Sequence, residues 1–228
     1  MSCGRSSIPL QKPRALAWGA SLFFCVFFVF MAAGCAKREV KNIDSKGKNI
    51  ICFGDSITFG YGVKPGEDYP TNLAELVSYP VINAGIDGDS SPEALQRLEA
   101  DILQRHPLLV IIEFGGNDFL RKIPLDVTAG NIRKMVRRIQ ERGGMAAIAD
   151  ISAGLFMREY RQALHKVARE EGAIFIPSIL SGIVTNPSMK SDFLHPNAQG
   201  YTIVARRIWR FIDPYLKKNA RSRENQPI

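Results

Sequence analysis

Short apolar segments alternate with amphipathic segments along the chain from about residue 48 onward. Continuous apolar runs predict five β-strands, at residues 49–53, 80–85, 108–114, 145–150 and 173–177. Apolar residues at helical spacing predict helices between and after them, at residues 69–77, 91–106, 127–144, 157–172 and 197–216. Strands that alternate with helices indicate βαβ units and a parallel sheet. The pattern therefore predicts an α/β fold whose central parallel sheet has about five strands and is covered on both faces.

The same pattern suggests how the chain is organised. Residues 35–47 are polar and charged, which is typical of a tether, and the alternation predicts one domain over residues 48–217. The polar end, residues 218–228, predicts a flexible tail. A length of 228 residues suits one ordinary domain with such appendages.

The first 34 residues have the layout of a secretory signal. An uncharged, mostly apolar run at residues 15–34 follows the basic residues Arg5, Lys12 and Arg14. Its end, "AAGC", resembles a bacterial lipobox, in which the thiol of the cysteine is acylated and the leader is cleaved before it. We therefore predict an exported bacterial lipoprotein, lipid-anchored through Cys35 and facing the periplasm or the cell exterior.

Two alternatives to lipidation remain open. About 20 apolar residues can cross a bilayer, so the leader is also compatible with an uncleaved membrane-spanning helix. Cleavage at another bond would release the protein. Ala36, rather than aspartate, follows the cysteine, and the resemblance to lipoproteins then favours the outer membrane.

Composition limits the classes of function. The formal net charge is +8, but the sequence shows no basic stripe with interleaved aromatic residues, so nucleic-acid binding is not expected. The cysteines are Cys3, Cys25, Cys35 and Cys52, and their positions indicate neither a disulfide framework nor paired metal ligands.

Polar or glycine-rich corners follow the predicted strands. They are Gly54-Asp55-Ser56, residues 83–88, residues 115–118, and a later loop with Asp192 and His195. Ligands of open parallel sheets bind at the carboxyl ends of the strands. We expect these corners to meet at one edge of the sheet and to form the functional site.

Ser56 is a candidate nucleophile, since a serine hydroxyl attacks once a base removes its proton. His195 follows Asp192 by three residues, a spacing that lets the carboxylate orient the imidazole toward Ser56. The other histidines, His106 and His165, lie in predicted helices and are expected to be structural or solvated. Taken alone, the D-x-x-H pattern is weak and is equally met by a loop aspartate and a capping histidine.

Acyl transfer also needs hydrogen-bond donors for the oxyanion. The backbone N–H groups of Ser56 and Gly88 and the side-chain amide of Asn117 are candidates. Each has an ordinary alternative, because glycine and asparagine are common in turns. A phosphate-binding loop is not indicated, since "GDSITFG" lacks the G-x-x-x-x-G-K-[ST] pattern.

Four motifs occur in order: "GDSIT", "NAGIDGD", "GGND" and "DFLHPN". Together they resemble the signature blocks of the SGNH hydrolases, or GDSL-type esterases and lipases, and the similarity spans about residues 48–216. The nearest branch looks like the bacterial periplasmic thioesterase/lysophospholipase/arylesterase enzymes. The resemblance implies a flavodoxin-like three-layer α/β/α sandwich, no metal and no other cofactor.

The resemblance also implies the role of each motif residue. Ser56 would be the nucleophile, His195 the general base and acid, and Asp192 the residue that orients the histidine. Ser56, Gly88 and Asn117 would form the oxyanion hole. The expected reaction is hydrolysis of a carboxylic ester or thioester through an acyl-enzyme.

The substrate is less defined by the sequence. Apolar residues in the loops at 151–157 and 178–189 line an acyl slot or simply cover the core: Leu155, Phe156, Ile179, Leu180 and Ile183. With a membrane anchor, an acyl slot suggests a lipid-derived substrate. One alternative is a carbohydrate O-acetyl esterase that binds glycans on Tyr61 and Tyr69. Another is a non-catalytic lipid- or glycan-binding lipoprotein.

Overall fold

The computed structural model describes Met1 and residues 39–153 and 157–224. The predicted leader, the Cys35 anchor, and two slot candidates, Leu155 and Phe156, fall outside the described residues. The chain divides into two compact units, residues 1–37 and 38–228. Within residues 39–153 and 157–224, no helix is long and apolar enough to cross a membrane.

A five-stranded parallel sheet forms the centre of the second unit, as the sequence predicts. Its strands are β1 Asn49–Gly54, β2 Val81–Gly85, β3 Pro107–Glu113, β4 Met145–Ala149 and β5 Ile174–Ile176. Their spatial order is β2-β1-β3-β4-β5, and every neighbouring pair is parallel. This is the strand order of flavodoxin-like sheets, and it places a topological switch point between β1 and β3.

Helices follow the strands along the chain. They are α1 Ser56–Phe59, α2 Tyr69–Ala74, α3 Ser91–Asp101, α4 Gly116–Leu120, α5 Leu125–Glu141, α6 Arg158–Glu171 and α7 Ala198–Glu224. Short 3₁₀ turns occupy Leu103–Arg105 and Pro187–Met189. The α1 and α4 helices were not predicted, and the helix expected over 91–106 ends as an α-helix at Asp101.

Alternate residues of the strands enter two separate cores. On one face of β1, Ile50 and Cys52 pack with α2 and α7, whereas Ile51 and Phe53 pack on the other face with α3, α5 and α6. All four side chains are fully buried. Burial on both faces confirms the three-layer α/β/α sandwich, and it explains why the strands are continuous apolar runs.

The C-terminal helix is longer than predicted and corrects the expected flexible tail over residues 218–224, while residues 225–228 fall outside the described residues. The α7 helix continues through Pro214 to Glu224 instead of ending near residue 216. Asn219 is fully buried, and its side-chain amide donates hydrogen bonds to the carbonyls of Ile43 and Ser45 at 2.8 and 3.0 Å. These long-range bonds hold a segment whose polar composition suggested fraying.

Part of the expected tether also belongs to the folded unit. Val40 and Ile43 pack against the core, and the N–H of Lys41 donates to the carbonyl of Gly172 at 2.9 Å. The segment from residue 39 to β1 therefore packs at the amino ends of the strands and does not extend freely.

Candidate active site

Ser56 lies at the sharp turn between β1 and α1. Asp55 caps the helix, because its carboxylate accepts a hydrogen bond from the N–H of Ile57 at 3.0 Å. Ser56 is the first residue of α1, and the first N–H groups of a helix have no partner within it. The turn therefore presents the Ser56 hydroxyl and its backbone N–H at the carboxyl edge of the sheet.

The structure brings Ser56, His195 and Asp192 together. His195 Nε2 lies 3.0 Å from Ser56 Oγ, and His195 Nδ1 lies 2.8 Å from Asp192 Oδ2. With a proton on Nδ1 donated to the carboxylate, Nε2 can accept the proton of the hydroxyl. The geometry is that of a nucleophile in contact with an oriented base.

Asp192 is ionised over the whole neutral range. Partial burial acts to raise its pKa, but hydrogen bonds from His195 and Leu194 outweigh it and lower the pKa to about 2. The backbone N–H groups of Leu194 and His195 donate to Oδ1 at 2.7 and 2.8 Å, which leaves Oδ2 for the imidazole. One carboxylate thus fixes both the loop and the ring.

A tyrosine supports the imidazole from the side. The rings of Tyr61 and His195 lie 4.5 Å apart between centroids, and the buried Tyr201 hydroxyl donates to the carbonyl of Tyr61 at 3.1 Å. Tyr201 belongs to α7, so the helix that follows the histidine loop also holds its neighbour in place.

The expected oxyanion donors surround the same point. Gly88 has a φ of +77°, which L-residues with a side chain rarely adopt, and its carbonyl accepts from the guanidinium of Arg121 at 2.7 Å. The Gly88 N–H donates no hydrogen bond to another backbone group among the described residues. That N–H is therefore available to a ligand.

Asn117 is at the site, but its amide is already engaged. Nδ2 donates to the carbonyl of Asp89 at 3.0 Å and to Asp55 Oδ2 at 3.2 Å. The bond to Asp55 is the longer of the two. For Asn117 to contact an oxyanion, one of these amide hydrogens has to be shared or redirected.

Arg97 links the ends of the first two strands. Its guanidinium pairs with Asp89 at 2.7 Å and donates to the carbonyls of Ala84 and Gly54 at 3.0 and 3.3 Å. It also stacks over Phe53, 4.5 Å from the ring centroid. The corners that carry Ser56 and Gly88 are thereby tied together by one side chain.

A cavity of about 270 Å³ opens beside Ser56. Its polar lining comprises Asp55, Ser56, Asn117 and Lys190, and the other side chains are apolar: Ile57, Phe119, Leu120, Ile151, Ala153, Met157, Leu180, Val184, Phe193 and Leu194. Several of the apolar ones are exposed at the surface, Phe193 by 92 %. The cavity is a concave apolar site with a few convergent polar groups.

The expected slot residues divide between the cavity and the core. Leu180 lines the cavity, as expected, but Ile179 and Ile183 are fully buried in the core with α7. Tyr69 is also fully buried, so it offers no platform for a sugar. Ile179 and Ile183 therefore cover the core, which is the second of the two alternatives left open by the sequence, and the expected contact of Tyr69 with a glycan is wrong because its side chain is buried.

The remaining histidines are elsewhere. His106 is an exposed residue in the left-handed region at the end of a 3₁₀ turn, and His165 is exposed on α6 beside Phe175. Among residues 39–153 and 157–224, no group of three histidine, cysteine, aspartate or glutamate side chains could hold a metal ion.

A buried acid lies beneath the site and was not predicted from the sequence. Glu113 ends β3 with no exposed surface, and the hydroxyl of Thr58 donates to its Oε2 at 2.8 Å. A side chain on Gly54 would collide with that oxygen, since a Cβ there would lie 2.6 Å from it. A charged residue inside the apolar run "LLVIIEF" was the available signal.

Comparison with known proteins agrees with the motifs. The family model described as GDSL-like lipase/acylhydrolase matches residues 52–203. An arylesterase of Vibrio mimicus is 28 % identical over 195 residues, covering 81 % of this chain and 92 % of its own. Thioesterase 1/protease 1/lysophospholipase L1 of Escherichia coli is 25 % identical over 211 residues, covering 89 % and 96 %.

A solved structure agrees with the fold. The crystal structure of a protein named TesA superimposes with a TM-score of 0.69 at 26 % identity, covering 73 % of this chain and 99 % of its own. The motif-bearing domain therefore has a known architecture.

Proposed function

The chain belongs to the GDSL-like lipase/acylhydrolase family and is an ester-hydrolysing enzyme, and we propose that it acts through Ser56, His195 and Asp192 by way of an acyl-enzyme. The observation that carries the proposal is the contact between Ser56 Oγ and His195 Nε2, at 3.0 Å, beside an apolar cavity. A nucleophile, a base and an acyl-sized space then share one corner.

The mechanism follows from the geometry. His195 accepts the proton of Ser56 while Oγ attacks the carbonyl carbon of the substrate, and Asp192 stabilises the resulting imidazolium. The N–H groups of Ser56 and Gly88 stabilise the oxyanion, with the Asn117 amide as a third donor. His195 then protonates the leaving group. Water, activated by the same histidine, releases the acyl group and restores Ser56.

The cavity supports an acyl substrate rather than a sugar. Its lining is predominantly apolar, and of the two tyrosines considered for glycan binding, Tyr69 is buried and Tyr61 packs on His195. We propose carboxylic esters or thioesters with an extended acyl chain as substrates, with the chain lying along Ile151, Leu180 and Val184. The names of the relatives, which include an arylesterase and a thioesterase, support this class.

A hydrolysis panel with one cavity variant tests the acyl-chain proposal. Val184→Trp fills the cavity, so kcat/KM for a p-nitrophenyl decanoate should fall at least about tenfold relative to the acetate. The matched control is Val127→Trp, at an exposed position of α5 outside the cavity, which should leave the ratio unchanged. The acyl-chain proposal is wrong if Val184→Trp leaves the ratio of kcat/KM for decanoate to that for acetate unchanged. It is also wrong if the enzyme hydrolyses acetylated xylan faster than every p-nitrophenyl ester.

We also propose that Cys35 is acylated and anchors the enzyme to a membrane. The support is the apolar leader and the "AAGC" boundary. When the full chain is produced in bacteria fed an alkynyl fatty acid, the protein should carry the label and sediment with membranes. Cys35→Ser should lose the label, and equal labelling of both proteins would contradict the assignment.

A further inference from the structure

Two carboxyl groups meet beneath the nucleophile turn. Asp55 is 2 % exposed and Glu113 is fully buried, and Glu113 pairs in the sheet with Gly54, the residue before Asp55, so the two carboxyl groups lie close enough for each to affect the pKa of the other. Glu113 Oε2 accepts from Thr58, but Glu113 Oε1 has no donor among the described residues. Two ionised carboxylates cannot bond to each other, so a hydrogen bond between Asp55 and Glu113 requires a proton on one of them.

The surroundings assign that proton to Glu113. Asp55 already accepts from two N–H donors, Ile57 through Oδ1 and Asn117 through Oδ2, which is the environment of an ionised carboxylate. Glu113 accepts from the Thr58 hydroxyl and its pKa is also lowered by the Asp55 N–H, but its Oε1 is left without a donor. When Glu113 Oε1 carries the proton, it can donate a hydrogen bond to Asp55 and is no longer without a partner.

Burial and the neighbouring charges also favour a proton on Glu113. Burial raises the pKa of Glu113 well above its usual range, and the charge of Asp55 raises it further. Burial raises the pKa of Asp55 as well, to about 6, while the Ile57 N–H, the hydrogen bond with Glu113 and His195 lower it, so Asp55 is the ionised partner at neutral pH. The other ionisable groups that face the pair, Tyr69, Tyr201 and Asp89, include no cation that would ionise Glu113.

Asp55 connects this pair to the reacting groups. One of its oxygens caps the turn that carries Ser56, and the other receives the Asn117 amide. We propose that Glu113 is a positioning residue, whose carboxylic acid donates a hydrogen bond to the Asp55 carboxylate and so holds both the Ser56 turn and the Asn117 amide in place for the oxyanion. The inference rests on the proposed function of Ser56 and adds the residue that supports it.

The protonated form also limits charge at the site. An oxyanion develops above Asp55, and a second ionised carboxylate below it would oppose that charge. Glu113 as an acid keeps the pair at a single negative charge while still supplying a donor. Glutamine reproduces this state, since its amide is neutral, donates one hydrogen bond to Asp55 and accepts another from Thr58.

Two substitutions at Glu113 separate positioning from a merely structural role. Glu113→Gln should keep kcat within about threefold of the wild type. Glu113→Met has similar length but no donor, and should lower kcat at least about tenfold with KM within about twofold, because a misplaced oxyanion donor acts on the transition state. Its Tm should fall by only a few degrees and stay well above the assay temperature, because Asp55 and Thr58 each lose one buried hydrogen-bond partner.

The results that overturn the inference are specific. They are an unchanged kcat in folded Glu113→Met, a Glu113→Gln variant as slow as Glu113→Met, or a loss of kcat in Glu113→Met that is explained by a Tm at or below the assay temperature. Ser56→Ala is measured alongside. If Ser56→Ala is inactive while both Glu113 variants match the wild type, the positioning role fails and the proposed nucleophile stands. If Ser56→Ala retains activity, the nucleophile assignment itself fails.

Stability as a function of pH tests the proton directly, even if Glu113→Met does not fold. A folded-state pKa above the unfolded value means that the folded protein holds the proton which the unfolded chain releases above about pH 4.5. Wild-type stability should then fall relative to Glu113→Gln as the pH rises from 5 to 8. The ratio of their folding constants should change by up to about tenfold per pH unit. A ratio that is independent of pH contradicts a protonated Glu113.

Discussion

Ser56→Ala is expected to lower kcat for ester hydrolysis by about 10⁴–10⁶-fold while leaving the fold intact. The Oγ atom is the only group at the strand–helix turn that contacts His195 Nε2 among the described residues, so no other side chain takes over the attack. The turn itself is held by Asp55 and Gly54, which the substitution leaves in place.

His195→Ala provides the companion measurement for the nucleophile. A base and its nucleophile act as one unit, so kcat of the Ser56→Ala/His195→Ala double variant should be no lower than kcat of the slower single variant. Steady-state rates and circular dichroism of the three proteins test this expectation. Multiplicative losses in the double variant would indicate that the two residues work independently and would contradict the proposed pairing.

Asp192→Asn is expected to lower kcat by about 10²–10⁴-fold, with little change in KM. The asparagine oxygen can still accept from the N–H groups of Leu194 and His195, so the loop keeps its shape. Its amide, however, donates toward His195 Nδ1. The ring then carries its proton on Nε2, which faces Ser56 as a donor and cannot act as the base.

Two features of the structure refine the Asp192 prediction. The Asp192 side chain is 41 % exposed, so solvent screens its charge. We therefore expect a loss of kcat toward the smaller end of the range. Because the pKa of Asp192 is about 2, its carboxylate stays ionised well below neutral pH. Any fall in wild-type activity between pH 7 and 4 should therefore come from a group other than Asp192. A folded Asp192→Asn variant with unchanged kcat at neutral pH would contradict the orienting role of Asp192.

Local sequence signals predicted the sheet and the corners of the site. Each strand is a continuous apolar run because both of its faces are buried, and each run ends where a glycine or polar residue begins. Ser56, Gly88, Asn117 and the loop of His195 follow strands of one parallel sheet, so their meeting was determined by topology alone. The α/β fold was predictable for the same reason, whereas the family was recognised from the resemblance of the four motifs.

Long-range partners explain what the sequence did not predict. Glu113 is a charged residue in an apolar run, and its partners Thr58 and Asp55 are more than 50 positions away. Asn219 likewise orders a polar segment by bonding to the carbonyls of Ile43 and Ser45. Composition over a short window contains no information about such pairs.

Side-chain packing determines which of the predicted slot residues face the cavity. Leu180 and Ile183 lie in the same apolar loop, yet Leu180 lines the cavity and Ile183 is inside the core. The loop has no regular period from which the facing side could be calculated. For Asn117, the sequence indicated an amide donor at the right corner but not that Asp89 and Asp55 already accept from it.

Mass spectrometry after reaction with a fluorophosphonate tests the central claim most directly, because the reagent bonds covalently to a serine activated by a neighbouring base. The account predicts one adduct per chain, located on the peptide that contains Ser56. It also predicts no adduct in Ser56→Ala and slow labelling in His195→Ala. An unlabelled, folded wild-type protein, or an adduct that persists on another residue in Ser56→Ala, would contradict it.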